Sequence, residues 1–163
     1  MPKVAAGILL YRVRDTAFEV LIGHLGGPYY AKKDTHAWTL PKGLVEEGED
    51  LLAAARREWR EETGTPPPEG EYVALPVVRQ SGKHNYLFLV EGDADAAALR
   101  SNTFRVQWPP RSGRWVDVPE VDRWAWVGLA EAEEKLSKSL GAVLRGEEVL
   151  RTAARRTRRE GTP

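Results

Sequence analysis

Three glutamates crowd the stretch REWREETG (57–64): Glu58, Glu61 and Glu62, with Arg57 ahead of them and Gly64 behind. Carboxylate oxygens gathered on one surface suit a hard divalent cation such as Mg²⁺ or Mn²⁺. Helical winding at about 100° per residue puts the three on an arc roughly 100° wide. That arc is separate from an expected buried stripe of Leu52, Ala55 and Trp59. Glu58 and Glu62 are like-charged i,i+4 neighbours, which costs a few tenths of a kcal/mol. All three also lie in the last turns, where the helix dipole disfavours negative charge. A bound dication would reverse both effects. The competing reading is a solvated acidic helix face, and the triplet alone does not exclude it. Arg57 lies about 40° around the wheel from Glu61 and is placed to hold that carboxylate.

The helix that must position these groups is expected over residues 49–63, ending at Gly64 as a left-handed cap. VAAGILLYRV (4–13) and FEVLIGHL (18–25) read as strands joined in a hairpin. YVALPVVR (72–79) and NYLFLVEG (85–92) read as further strands, the first demoted to an edge or bulge by Pro76. Residues 93–122 form a long excursion, and WAWV (124–127) a last short strand. LAEAEEKLSKSL (129–140) and GEEVLRTAARRTRRE (146–160) read as helices. Strands around one central helix, then terminal helices, predict an α/β fold of mixed layers. One domain is expected over residues 1–145, followed by a basic C-terminal helix or tail over 146–163.

The surroundings of the glutamates are more specific than the triplet. Gly43 is followed by five residues and Glu49, then by seven more and Arg57-Glu58, Glu61-Glu62 and Gly64. These seven residues resemble the signature of the Nudix hydrolase family, with every fixed polar or glycine position filled. Trp59 is bulkier than the usual aliphatic residue and Thr65 more polar than usual, departures that bear on loop packing. The resemblance implies an α/β/α sandwich with a mixed β-sheet. It implies a metal site of Glu58, Glu61, Glu62 and the Gly43 carbonyl, with Mg²⁺ or Mn²⁺ as cofactor. Glu49 would complete the acidic site or orient the attacking water, so Glu49, Arg57, Glu58 and Glu61 are the expected catalytic group. The implied reaction is water attack on phosphorus in a nucleoside diphosphate linked to another group. Relatives place the general base in the helix or on a distant loop. Glu91 and Glu120 are the remote candidates, each with an ordinary surface role as the simpler reading.

WTLPKG (38–43) is similar to the form found in hydrolases of diadenosine polyphosphates, so a nucleoside polyphosphate is the expected substrate. An RNA 5′ end, a nucleotide sugar, or nucleotide binding without turnover are the alternatives. Lys42 would meet a phosphate as a point charge. Arg79, Lys83 and Tyr86, near a turn, are candidate phosphate or base contacts. Trp38 is expected to pack under its loop, and His36 and His84 to be surface polar groups. The tryptophans of QWPPRSGRW and WAWV either stack a base or, as the preferred reading, close the core under the long loop. The basic tail is expected to be a frayed, solvated helix.

Composition limits the rest. Lys plus Arg equals Asp plus Glu at 24 each, so no global charge favours a nucleic-acid partner, and none is expected. No cysteine is present, which removes disulfides, thiolate ligands and a cysteine nucleophile. No apolar run approaches the ~20 residues of a membrane span, and the first residues do not read as a secretory leader. A cytoplasmic location is expected, and the oligomeric state is left open.

Overall fold

Continuous apolar runs, buried on both faces, build the centre of the molecule as a hairpin. β1 (Lys3–Arg14) and β2 (Ala17–Leu25) pair antiparallel from Tyr11↔Val20 to Arg14↔Ala17. Asp15 and Thr16 close the turn with φ of 51° and 65°, the left-handed pair that a two-residue hairpin loop requires. The computed structural model describes residues 2–80 and 82–160, with side chains to residue 158.

β3 (Trp38–Thr39) pairs with β2, and β4 (Lys42–Leu44) lies antiparallel to the start of β1. β5 (Val73–Ala74) and β6 (Val78–Gln80) both pair antiparallel with β7 (Lys83–Glu91). The strand expected over 72–79 is thus two short pieces either side of Pro76, which has no N–H to donate to a ladder. β7 runs parallel to β1 across the full pairing Lys3↔Lys83 to Tyr11↔Glu91. β10 (Val121–Gly128) completes the order β10-β2-β1-β7-β5, a mixed sheet.

Each face of this sheet is covered. On one, Ala6, Ile8, Leu10, Leu21 and Val90 pack against Ala54, Ala55 and Trp59 of α1 (Leu51–Thr63). On the other, Leu9, Ile22, Leu87 and Leu89 lie beneath α2 (Leu129–Lys135), α3 (Lys138–Val143) and α4 (Glu147–Glu160). The α/β/α sandwich implied by the sequence is the observed architecture.

Three segments differ from expectation. The helix expected over 129–140 breaks at Leu136, which is extended (ψ 159°) and forms a bridge to Trp38. Ser137 then caps α3 by accepting from the Leu140 N–H. α4 is seated rather than solvated: Val149 and Thr152 are buried and Arg156 pairs with Glu91. Residues 161–163 of the expected tail lie outside the described residues. Finally, the excursion contains a separate two-stranded sheet of β8 (Thr103–Gln107) and β9 (Trp115–Pro119). Its flanks strap the end of α1: Arg100 N–H donates to Thr63 O at 2.8 Å and Asn102 N–H to Glu61 O at 2.9 Å.

Candidate functional site

Local sequence fixes the helix that carries the glutamates. The Asp50 carboxylate accepts from the Ala53 N–H, and Gly64 ends α1 in the left-handed conformation at φ 73° with its N–H on Arg60 O. Burying Trp59 against the sheet turns Glu58 and Glu62 inward as well, so both are buried rather than on a free arc. Gly43 makes this possible. A Cβ at that position would fall 2.1 Å from the Glu58 carboxylate, so only glycine lets β4 approach the helix so closely.

The two inward carboxylates are electrostatically costly. Glu62 is pushed up to about 8, chiefly by burial, with the charges of Glu120 and Glu58 adding to it. One of its oxygens accepts from the Lys42 backbone N–H at 3.0 Å. Glu58 is also raised, first by burial and then by Glu61 and Glu120, against the opposing Arg57. Glu61, more exposed, meets Arg57 at 3.3 Å.

Arg57 has a different main partner from the one expected. Its Nε and Nη2 grip both oxygens of Glu49 at 2.8 and 2.9 Å. Its Nη1 donates to Glu58 at 2.8 Å and its Nη2 to Leu44 O at 2.9 Å. The grip holds Glu49 at about 2, helped by the Glu46 N–H. Arg57 therefore ties the loop before α1 to the helix, and Glu49 is its anchor.

Glu120 joins the cluster across fifty-seven intervening positions because the strap delivers it: its N–H donates to Asn102 O at 3.0 Å, next to the bond that Asn102 makes with Glu61 O. Burial and the charge of Glu61 raise its carboxyl. Glu120 and Glu62 line a cavity of about 320 Å³ together with Thr39, Lys42, Tyr30 and Phe104. Glu91, the other remote candidate, sits elsewhere in an ion pair with Arg156.

The basic candidates divide. Lys42 faces away from α1, because its pairing with Gly7 alternates with that of Gly43 and Ala6. Its ammonium is lowered by burial and then by the like charge of Lys83, against weaker support from Glu62 and Glu58. Lys42 and Lys83 thus approach one another. Tyr86 is half-buried opposite Ala6, on the α1 side of the sheet. Arg79 lies apart, exposed across from His84 and beside an apolar cavity against α3 and α4. His36 bonds to Leu136 O, and Trp38 is buried with its indole N–H on Asp34. Asn85 escaped sequence reading: it is fully buried, and its Oδ1 has no partner among the described residues.

Among the described residues no three His, Asp or Glu side chains already converge as a finished metal-binding set. The donor chemistry nevertheless fits a hard cation: mutually repelling carboxylates, two of them buried, with Glu58 set directly against the Gly43 backbone.

The NUDIX domain family model matches residues 1–146. The chain belongs to the NUDIX family. This NUDIX chain is 32% identical over 111 residues to the RNA pyrophosphohydrolase of Rhizobium meliloti, covering 58% of the chain and 60% of that protein. It is 39% identical over 61 residues to the RNA pyrophosphohydrolase of Bradyrhizobium diazoefficiens, covering 37% of the chain and 35% of that protein. The chain therefore spans roughly a third to three-fifths of these curated relatives. Among solved structures, the NUDIX fold matches a C. elegans Ap4A hydrolase binary complex at 24% identity and TM-score 0.61, covering 88% of this chain and 93% of that one. It also matches the NUDIX domain of Shewanella oneidensis NrtR complexed with ADP ribose at 18% identity and TM-score 0.58, covering 92% and 89%. No described helix is long and apolar enough to cross a membrane.

Proposed function

We propose that this NUDIX chain is a divalent-metal-dependent hydrolase that cleaves a diphosphate bond in a nucleoside polyphosphate. The observation that carries the reading is the cluster of Glu58, Glu61, Glu62 and Glu120, whose carboxyls stand in one another's field with two of them buried against Gly43. Glu58, Glu61 and Glu62, with the Gly43 carbonyl, would hold Mg²⁺ or Mn²⁺, once Glu58 and Glu61 turn from Arg57. Such an ion, when bound, offsets phosphate charge and acidifies water.

The chain's own groups supply the rest. Glu120, raised and facing the cavity, accepts the proton of the attacking water. Arg57 and Glu49 are positioning residues: their ion pair fixes the loop before α1. Lys42, which lines the cavity and has no ion pair among the described residues, binds the phosphate that is not attacked, with Lys83 adding its charge from nearby. Tyr30 and Phe104 flank the cavity where a base or sugar would lie. Tyr86 is assigned a contact on the α1 side, and Arg79 is too far around the sheet edge to share this cavity.

An RNA 5′ end is the second reading, favoured by the aromatic and basic hairpin at the cavity's edge and by the names of the relatives. The complete carboxylate set speaks against binding without turnover. The test is phosphate and pyrophosphate release with Mg²⁺ across dinucleoside polyphosphates, nucleoside triphosphates, nucleotide sugars and 5′-triphosphorylated RNA. Product analysis in ¹⁸O water locates the attacked phosphorus. Absence of Mg²⁺-dependent cleavage on the whole panel would remove the reading.

A further inference from the structure

The β8–β9 hairpin pairs with no strand of the main sheet, yet it exposes an unusual amount of apolar surface. Trp115 is 55% exposed, Trp108 38%, Phe104 39% and Val116 42%. An isolated two-stranded ribbon is marginal in water, and exposed apolar patches on a soluble chain mark interaction surfaces. The expectation that these tryptophans close the core holds for Trp124, which is buried, and fails for Trp108 and Trp115.

Arginines are interleaved with the rings. Arg105, Arg111 and Arg114 stand against the single acid Asp117 in residues 103–119, and Lys32 and Lys33 add to the neighbouring loop. The chain's formal neutrality conceals this basic strip. The register puts Arg105, Asp117, Gln107 and Trp115 on one face of the ribbon, with the Arg105 guanidinium 5.7 Å over the Trp115 ring. At the turn, Trp108 meets Tyr29 edge-on at 5.1 Å, and Tyr29 is itself half exposed. Phe104 lines the catalytic cavity from the ribbon's opposite face. The strip therefore reaches the cavity around the turn, where Trp108 meets Tyr29 and the next residue, Tyr30, lies beneath Lys33 and lines the cavity from the other loop.

We infer that the β8–β9 hairpin grips the single-stranded 5′ segment of an RNA whose terminal phosphates occupy the Glu62–Glu120 cavity, an inference that rests on the hydrolase reading above. Aromatic rings stack bases of any sequence while arginines follow the backbone, the combination that single-stranded sites use. A duplex hides its base faces and offers these rings nothing to stack on. A second copy of the chain fits less well, because a two-fold axis would set the arginines against arginines. A five-residue strand is roughly 17 Å long, enough for a few nucleotides beyond the cavity.

The experiment compares 5′-triphosphorylated single-stranded RNA with the matching nucleoside triphosphate, using the full chain, Trp115→Ala, Trp115→Phe and the double variant Arg111→Ala/Arg114→Ala. The expected result is a rise of about tenfold in KM for RNA with Trp115→Ala, an unchanged kcat, and unchanged hydrolysis of the free nucleotide. Trp115→Phe restores most of the affinity. The double variant lowers the salt dependence of RNA binding by about 1.4 in log–log slope, roughly 0.7 for each lost phosphate contact. RNA binding by anisotropy in a Glu62→Gln background reads the grip without turnover. If no substrate is cleaved and yet Trp115 governs RNA binding, the hydrolase reading fails and the grip stands. RNA and nucleotide constants that move together, RNA binding unchanged in Trp115→Ala, or loss of a dimer in its place overturns the inference.

Discussion

α1 and α4 are nearly equal in length and both rich in glutamate and arginine, yet they place charge in opposite ways. α4 carries Glu147 and Glu148 in its first turn, where the helix dipole favours them, and Glu147 pairs with Arg151 one turn on. α1 has no acid in its first turn and gathers its glutamates near the C-terminal end, two of them buried. The same residue types therefore stabilise one helix and burden the other. Charge placed against local preference has to be answered from elsewhere in the fold. Here the answers are Arg57, the Lys42 amide and, on the reading proposed, a dication.

The largest effect should come from the burdened helix. Glu58→Gln or Glu62→Gln is expected to lower Mg²⁺-dependent turnover by about 100- to 1,000-fold, several kcal/mol of lost ion binding. Circular dichroism should remain native. A near-normal rate in both variants would make α1 no different in kind from α4. Glu120→Gln should follow, with a loss of about 100-fold in kcat and little change in KM. An unchanged kcat would return Glu120 to the surface residues.

Stability should separate the helices by pH. Glu62 is raised in the folded state, so the folded chain binds the proton more tightly than the unfolded chain. Without divalent ion, stability should fall as pH rises from about 4.5 to about 8, by at most on the order of 4 kcal/mol. Thermal melts of Glu62→Gln should lack this slope, and Mg²⁺ should flatten it in the wild type. Glu49 gives the opposite limb. Its carboxyl is depressed to about 2, so its contribution is complete above about pH 4.5 and is lost as pH falls toward 2. Arg57→Ala should erase that acid limb and destabilise the chain by roughly 2 kcal/mol. The smallest effect belongs to α4. Arg151→Ala should shift stability by no more than about 0.5 kcal/mol and leave activity alone, since its pair with Glu147 is exposed. A large loss there would mean that α4 is more than a cover for the sheet.

Much of this was legible because it is written in local chemistry. Hairpin β1–β2 follows from two apolar runs and a short polar turn, and α1 from periodicity ended by Gly64. Helical spacing puts Glu58, Glu61 and Glu62 on neighbouring positions, and the resemblance of the signature from Gly43 to Gly64 singles them out from an ordinary acidic face. Other features had no local signal. The break between α2 and α3 depends on Leu136 bridging to Trp38, 98 positions away. β8 and β9 are five residues each and largely exposed, so no buried alternation announced them.

The sequence by itself determined the mixed sandwich, the helix bearing the glutamates and the glycine that must sit beside them. Tertiary structure alone decided that Glu58 and Glu62 face inward, that Arg57 holds Glu49 first, and that Glu120 rather than Glu91 joins the cluster. The physical reason is distance along the chain. Spacing within a helix is set by bonds and dihedrals that neighbouring residues share. Burial, electrostatic fields and the meeting of remote carboxylates exist only once separate segments pack.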